Sequence, residues 1–353
     1  MSAPFSIVVL NPGSTSTKVA LFHDDHAVRA DTIAHGVGDL RRFSTVWEQY
    51  AYRLQLCKQW TKENVKECSA VVGMGGLLRS VEGGVYRVNQ TMLRDARANL
   101  QGEHASNLGC ALAHDLASRY RVPAYVVDPV SVDEFESLAR YSGHPLIERR
   151  SLSHVLNIHA AARRAAEELQ IPLEQSSFVI GHLGGGISIA PVRSGRIIDV
   201  NDAASDGPFS PERTGGLPLQ PFITLCTSGK FSEAELRNLV MGKGGIAAYL
   251  GTNSTKEVES RIKAGDAVAL EVYQAMAYQI AKEIGAMATV LNGKVNAIVL
   301  TGGIARSTMV TSWIEERVKF IAQVKVFPGE DEMCSLAQGA LRVLRGEEQA
   351  KEY

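Results

Sequence analysis

The feature that most constrains this chain is a pattern it carries twice: an apolar strand, a tight turn of small residues, and a second apolar strand. Residues 5–10 run into Asn11-Pro12-Gly13-Ser14-Thr15-Ser16-Thr17-Lys18 and return through 19–22, and residues 178–183 run into Gly184-Gly185-Gly186 and return through 187–192. A hairpin tip of small residues presents its backbone N–H groups outward, which is one way a chain cradles a phosphate. Two such tips in one chain point to a nucleotide handled by two related lobes.

The repetition extends past the hairpins. After the first come a strand over 27–35, a helix over 46–62, a strand over 70–74 closing on Gly75-Gly76, a helix over 105–120 and a strand over 123–128. After the second come a strand over 196–200, a long helix stopped by Asn292-Gly293, a strand over 297–301 closing on Gly302-Gly303, a helix over 308–322 and a strand over 324–327. Each half reads as an antiparallel meander feeding a parallel, helix-covered sheet. The expected fold is α/β: two duplicated ribonuclease-H-like lobes, βββαβαβα each, with an interlobe nucleotide cleft. That is the architecture of sugar kinases, acetate kinase, actin and the heat-shock chaperone ATPases. At 353 residues, two domains are the natural expectation. The lobes are placed at 1–150, completed by a C-terminal helix over 333–353, and at 151–332, with the 347–351 tail expected to fray.

Composition narrows the partners. A formal charge of −1 gives no electrostatic reason to expect nucleic acid or an anionic membrane. The cysteines at 57, 68, 110, 226 and 334 lie far apart without metal-site spacing, so reduced core thiols and a cytoplasmic location are expected. The first apolar run is short and lacks a basic flank, unlike a signal peptide. The apolar stretch 267–291 is interrupted by Glu271, Lys282 and Glu283, so it reads as a core helix and not a membrane span.

Several common motifs are absent: no GxxxxGK[ST] loop, no GxSxG elbow, no HExxH, and no GxGxxG opening a helix after a strand. Phosphate binding must therefore use the hairpin tips. The first offers amide, hydroxyl and ammonium donors (Asn11, Ser14, Ser16, Lys18) beside Gly13. The second offers His182 next to Gly184, Gly185 and Gly186, three residues permissive of positive φ. The irregular stretch 201–216 carries one guanidinium flanked by glycines, Arg213, a candidate for stabilising a transferring phosphoryl group unless it pairs with Glu212 or Asp206. Asp128 ends a strand at the sheet edge where ligands bind, and Glu330, Asp331 and Glu332 follow the equivalent strand, so carboxylates there are candidates for Mg²⁺.

These segments resemble the butyrate kinases of the acetate kinase family. The matching stretches are NPGSTSTK (11–18), GGLLRSVEGGVYRVN (75–89), HASNLG (104–109), VVDPVS (126–131), RRSLSHVLN (149–157), GHLGGGISIA (181–190), DGPFSPERTGGLP (206–218), GKGGIAAYLGTN (242–253) and TGGIA (301–305). The resemblance implies reversible transfer of the ATP γ-phosphoryl to a short fatty acid carboxylate, giving an acyl phosphate and ADP. A kinase for a branched-chain or other acid, and a nucleotide-binding protein with impaired catalysis, stand as alternatives. It implies that Asn11, Ser14 and Ser16 hold phosphate and Mg²⁺-linked water, and that His182 and Arg213 stabilise the phosphoryl with His154 nearby. It further implies that Asp128 and Glu332 order Mg²⁺, that Gly302 and Gly303 border the adenine, that His104 lies near the acyl site, and that the protein self-associates. Two segments depart from the family pattern. Gly73-Met74-Gly75-Gly76 has Met74 where an arginine is expected, and Thr252-Asn253-Ser254-Thr255-Lys256 has Ser254 and Lys256 in place of an aspartate and an arginine. Lysine does not reproduce a bidentate guanidinium.

Overall fold

The computed structural model describes residues 3–353. In chain order the first elements are β1 (Ser6–Pro12), β2 (Ser16–His23), β3 (His26–Ala34), α1 (Val37–Arg41), α2 (Tyr50–Asn64) and β4 (Ala70–Met74). Then come β5 (Val85–Arg87), α3 (Gln90–Ala98), α4 (Gly109–Tyr120) and β6 (Ala124–Val127). The next stretch holds α5 (Val155–Glu168), β7 (Ser177–Leu183), β8 (Ile187–Arg193), β9 (Arg196–Ile197), α6 (Leu219–Thr227), α7 (Glu233–Val240), α8 (Gly245–Leu250) and α9 (Thr255–Lys263). The last elements are α10 (Ala267–Val290), β10 (Ala297–Gly302), α11 (Thr308–Val318), β11 (Val324–Pro328), α12 (Glu332–Leu344) and β12 (Lys351–Glu352). These pack as two compact units, Met1–Asp133 with Asp331–Tyr353, and Glu134–Glu330. Among the described residues no helix is long and apolar enough to cross a membrane.

The first unit is built on a seven-stranded sheet in the order β12-β5-β6-β4-β1-β2-β3. β1 pairs antiparallel with β2 and parallel with β4, and β4 pairs parallel with β6. α4 lies on β4, where Gly73 and Gly109 approach so closely that a Cβ on Gly73 would sit 2.2 Å from the Gly109 carbonyl oxygen. α12 covers β1, β4 and β6, and Gly339 lets it settle against Val127. The apolar positions of these elements (Val8, Leu10, Val71, Leu112, Leu116, Val126) form one buried core.

The second unit repeats the scheme in a five-stranded sheet, β11-β10-β7-β8-β9. Read from its third strand, each unit gives the same sequence of neighbours: third, second, first, then the two later parallel strands. Directions match as well, antiparallel within the hairpins and parallel from β7 through β10 to β11. The long helix α10 lays Tyr273, Met276, Ile280 and Ile284 on the core side, against Val179, Ile189 and Leu300. It stops where Asn292 and Gly293 take φ of 53° and 72°, in the left-handed region.

Two details differ from the sequence reading. The strand expected over 196–200 pairs only at Arg196–Ile197. Ile198 N–H still donates to Pro191 O, but Pro191 has no N–H to return the bond, so the ladder ends. The Asn201 side chain then takes over the strand edge, accepting from Ile189 N–H at 2.7 Å and donating to Ile187 O at 2.9 Å. The unit boundary falls at 133/134 and not 150/151. Residues 134–149 belong to the second unit because Glu134 accepts the Ile197 N–H, Glu136 N–H bonds Ile198 O, and Arg149 pairs with Asp199 at 2.8 Å. At the other end Glu332, expected to close the second lobe, belongs to the first unit.

Candidate active site

In the first unit the β1–β2 register places Asn11 opposite Lys18 and Pro12 opposite Thr17, so paired side chains share a face. Asn11 and Lys18 both reach Glu332 in the first turn of α12: Asn11 Nδ2 donates to Oε2 at 2.6 Å, and Lys18 Nζ lies 3.8 Å from it. The Asp331 side chain caps that helix through the Cys334 N–H, which fixes where Glu332 projects. These three residues line a cavity of about 290 Å³ together with Gly13, Ser14, Ser16, Met74, His104, Ser106 and Val130. The turn is held from behind by a residue the sequence did not single out, Arg53 of α2, whose guanidinium bonds the Gly13 and Ser16 carbonyls at 2.9 and 3.1 Å.

His104 sits on the cavity wall with Nδ1 accepting the Ser106 N–H and 2.7 Å from the Ser106 hydroxyl, which leaves Nε2 as its uncommitted position. Burial lowers its pKa, so the ring is neutral near pH 7. Asp128 is placed differently from its neighbours in the expected set. It follows β6 with φ of 41°, is 1% exposed, and its Oδ1 accepts the Gly84 N–H at 2.7 Å. It does not line the cavity, although Val130, two residues on, does.

In the second unit, His182 near the end of β7 and His154 at the cap of α5 stack with ring centroids 3.8 Å apart and planes 9° apart. His154 Nδ1 lies 3.0 Å from the Ser188 hydroxyl of β8. His182 Nδ1 lies 2.8 Å from Asn157 Oδ1, and its Nε2 lies 3.3 Å from Glu330 Oε2. Both neighbours of His182 are acceptors, and a neutral ring donates to only one at a time. A charged ring would serve both, but burial, followed by the facing His154, pushes the His182 pKa well below its ordinary value. Burial against the carboxylate contact is decided for burial, because the Glu330 side chain is 45% exposed and solvated. Burial and then the Arg213 charge push His154 down to about 4. Both imidazoles are therefore neutral at physiological pH.

Arg213 joins this pair. Its Nη1 donates to Ala203 O at 2.8 Å, not to Glu212 or Asp206, and its Nε is buried with no protein acceptor. The guanidinium lies over Gly186, where an added Cβ would stand 2.2 Å from Nη1. The loop backbone is fixed by the Ser210 hydroxyl, which bonds Gly185 O, and by the Arg213–Met241 bridge. Gly184, Gly185 and Gly186 are permissive of positive φ, but none of them adopts it. What the turn needs from them is space, for His182, Glu212 and Arg213 respectively. Gly302 does use positive φ, 89°, and passes close to Leu183 O, while Gly303 faces open space. Gly302 ends β10 and Gly303 follows it, at the carboxyl ends of the parallel strands, where open α/β sheets bind ligands.

The departures at 254 and 256 lie at the start of α9. Ser254 caps it through the Glu257 N–H, and Lys256 is exposed. Among the described residues no three His, Cys, Asp or Glu side chains converge as a metal cluster. The arrangement is thus two sets of groups of a kind able to bind anions. One combines hydroxyls, an amide, an ammonium and a carboxylate; the other sets an arginine with an open N–H beside two neutral histidines. Each set also holds a serine–histidine contact, Ser106 with His104 at 2.7 Å and Ser188 with His154 at 3.0 Å.

Comparison with known proteins agrees with this chemistry. The chain is 49% identical over 353 residues to the Listeria monocytogenes (serotype 4a, strain HCC23) protein named "Probable butyrate kinase", and 46% identical over 353 residues to butyrate kinase 2 of Clostridium acetobutylicum, each alignment covering 99% of both chains. The crystal structure of Porphyromonas gingivalis acetate kinase superposes with a TM-score of 0.78 at 16% identity, over 96% of this chain and 100% of that one, which establishes a common fold. With residues 146–327 also matching the acetokinase family, the chain belongs to that family.

Proposed function

We propose that this protein is a carboxylate kinase that transfers the γ-phosphoryl of ATP to butanoate, giving butanoyl phosphate and ADP, reversibly and by direct in-line displacement. The observation that carries the proposal is the 46–49% identity, over 99% of both chains, to proteins named as butyrate kinases. The site chemistry supports it. A carboxylate is already ionised at neutral pH, so the reaction needs no general base. It needs two anions aligned and their repulsion neutralised, and the groups present do that.

In the first unit Asn11, Ser14, Ser16 and Lys18 bind phosphate oxygens, with His104 and Met74 on the acyl side of the same cavity. Glu332 with the Asn11 amide and the Ser14 and Ser16 hydroxyls is an all-hard donor set with one carboxylate, which fits Mg²⁺ that keeps most of its water. When bound, that ion supplies neutralisation of phosphate charge. Asp128 positions the segment after β6 through its Gly84 bond and does not itself line the cavity. In the second unit the Arg213 guanidinium, with its buried open Nε–H, takes charge developing on the transferring group. His154, with Nδ1 on Ser188, offers its Nε2 side to the group without adding a competing cation, and the stacked His182 holds that ring in place. Gly302 and Gly303 leave room for the adenine.

The test is acyl phosphate capture with hydroxylamine, using ATP and Mg²⁺ across a panel of straight, branched and aromatic acids. Hydroxamate formed best from butanoate supports the assignment. Hydroxamate only from another acid moves the substrate, and ATP binding without hydroxamate from any acid removes the activity.

A further inference from the structure

Arg53 is 0% exposed, the one arginine or lysine among the described residues to be fully buried. A guanidinium stripped of water is costly unless its N–H groups are matched. Here the match comes from the phosphate turn itself. Nη1 donates to Gly13 O at 2.9 Å, Ser16 O at 3.1 Å and Thr17 Oγ1 at 3.0 Å, and Nη2 reaches Ser14 O at 3.4 Å. Nε and Nη2 also donate to Gln49 Oε1, one helical turn earlier, at 3.1 and 2.8 Å. All five acceptors are neutral, so no carboxylate cancels the charge in these contacts. Thr17 Oγ1 lies 2.9 Å from His35 Nε2, and burial followed by the Arg53 charge keeps that ring neutral, its pKa lowered to about 4.

Two consequences reach the anion site. In a trans peptide C=O and N–H point opposite ways, so drawing the Gly13 and Ser14 carbonyls inward turns the Ser14 and Thr15 N–H groups away from Arg53. A buried, uncancelled cation directly behind an anion-binding turn also favours negative charge in front of it. We propose that Arg53 is a positioning residue for phosphoryl transfer, which sets the conformation and potential of the 11–18 turn without touching the substrate. This rests on the assignment of that turn to phosphate made above.

The experiment compares Arg53→Lys, Gln49→Ala and, as a control on the site, Ser14→Ala in the full chain, measuring kcat, KM for each substrate and the melting temperature. Lysine keeps the charge but cannot make the forked set of bonds. A displaced turn should cost kcat about 100-fold in Arg53→Lys and about tenfold in Gln49→Ala, with KM for the carboxylate within about threefold. If Ser14→Ala loses kcat while the other two change only the melting temperature, Arg53 is merely structural and the inference is overturned, with the site intact. If Ser14→Ala also keeps full kcat, the phosphate assignment falls and takes the positioning role with it. If Arg53→Lys does not fold, Gln49→Ala decides: lost kcat supports the role and intact kcat overturns it.

Discussion

Gly186→Ala separates catalysis from folding more cleanly than removal of any charged residue. The φ of Gly186 lies outside the left-handed region, so alanine meets no backbone strain. Its Cβ would stand 2.2 Å from Arg213 Nη1 and 2.7 Å from Cζ, whereas ordinary contact begins at 3.4 Å. The guanidinium must therefore back away by the difference between 3.4 and 2.2 Å, about 1.2 Å. It is the far end of a flexible side chain, so the backbone need not follow, and the stability cost is that of weakening the Nη1 bond to Ala203 O, about 1.5 kcal/mol, or a few degrees in Tm. Catalysis has no such latitude. A misplacement of about 1 Å costs roughly 100-fold, and loss of one transition-state donor costs about 2.7–4 kcal/mol. The hydroxamate assay should show kcat reduced about 100-fold or more in a protein that still folds and melts cooperatively. A variant within about threefold of the parent kcat would refute both the placement of Arg213 and its role.

Three further outcomes follow from the geometry. The native pKa of His154 is about 4 against about 6.5 unfolded, so the unfolded chain binds the extra proton and stability falls as pH drops through that window; His154→Gln should flatten this slope in urea titrations from pH 7 to 4.5, and an unchanged slope contradicts the assignment. Asn201→Ala leaves the buried Ile189 N–H and Ile187 C=O without the amide that closes the strand edge, and should cost at least about 2 kcal/mol in denaturant unfolding; a loss below about 0.5 kcal/mol would mean that water or backbone replaces it. Deleting residues 351–353 removes the pairing of β12 with β5 and the Tyr353 hydroxyl that accepts the Arg79 N–H and bonds Asp95, so amide exchange should quicken at β5 and around Arg79 but not in the second unit; equal exchange would show the tail to be dispensable.

Much of the fold was legible because its signals are local and repeated. Alternating apolar runs bounded by small-residue turns place β1, β2, β7 and β8, and double glycines mark the ends of β4 and β10. The sheet order follows once the meander and crossover pattern is read twice. The strand after β8 was overextended because the effect of Pro191 on its partner is felt across the sheet, not along the chain. The unit boundary was misplaced because ion pairs such as Arg149–Asp199, 50 positions apart, carry no local mark.

The site was legible in its donors and not in its supports. Asn11, Ser14, Ser16, Lys18 and Glu332 meet at one cavity, and His154, His182 and Arg213 form one cluster, a grouping that for His154 and Glu332 came from the family resemblance and not from residue type. Arg53 stayed hidden because an arginine within a polar-looking helix reads as solvated, and only the tertiary fold buries it beneath the turn. The triple glycine was recognised for backbone freedom, yet it is required for the volume of side chains brought from elsewhere.

The central claim is that the purified chain joins phosphate to a carboxylate. Phosphorus NMR of the protein with ATP, Mg²⁺ and butanoate tests it directly. The account predicts an acyl phosphate resonance growing in step with ADP, and ADP accumulating with inorganic phosphate alone, or ATP left intact with every acid, would contradict it.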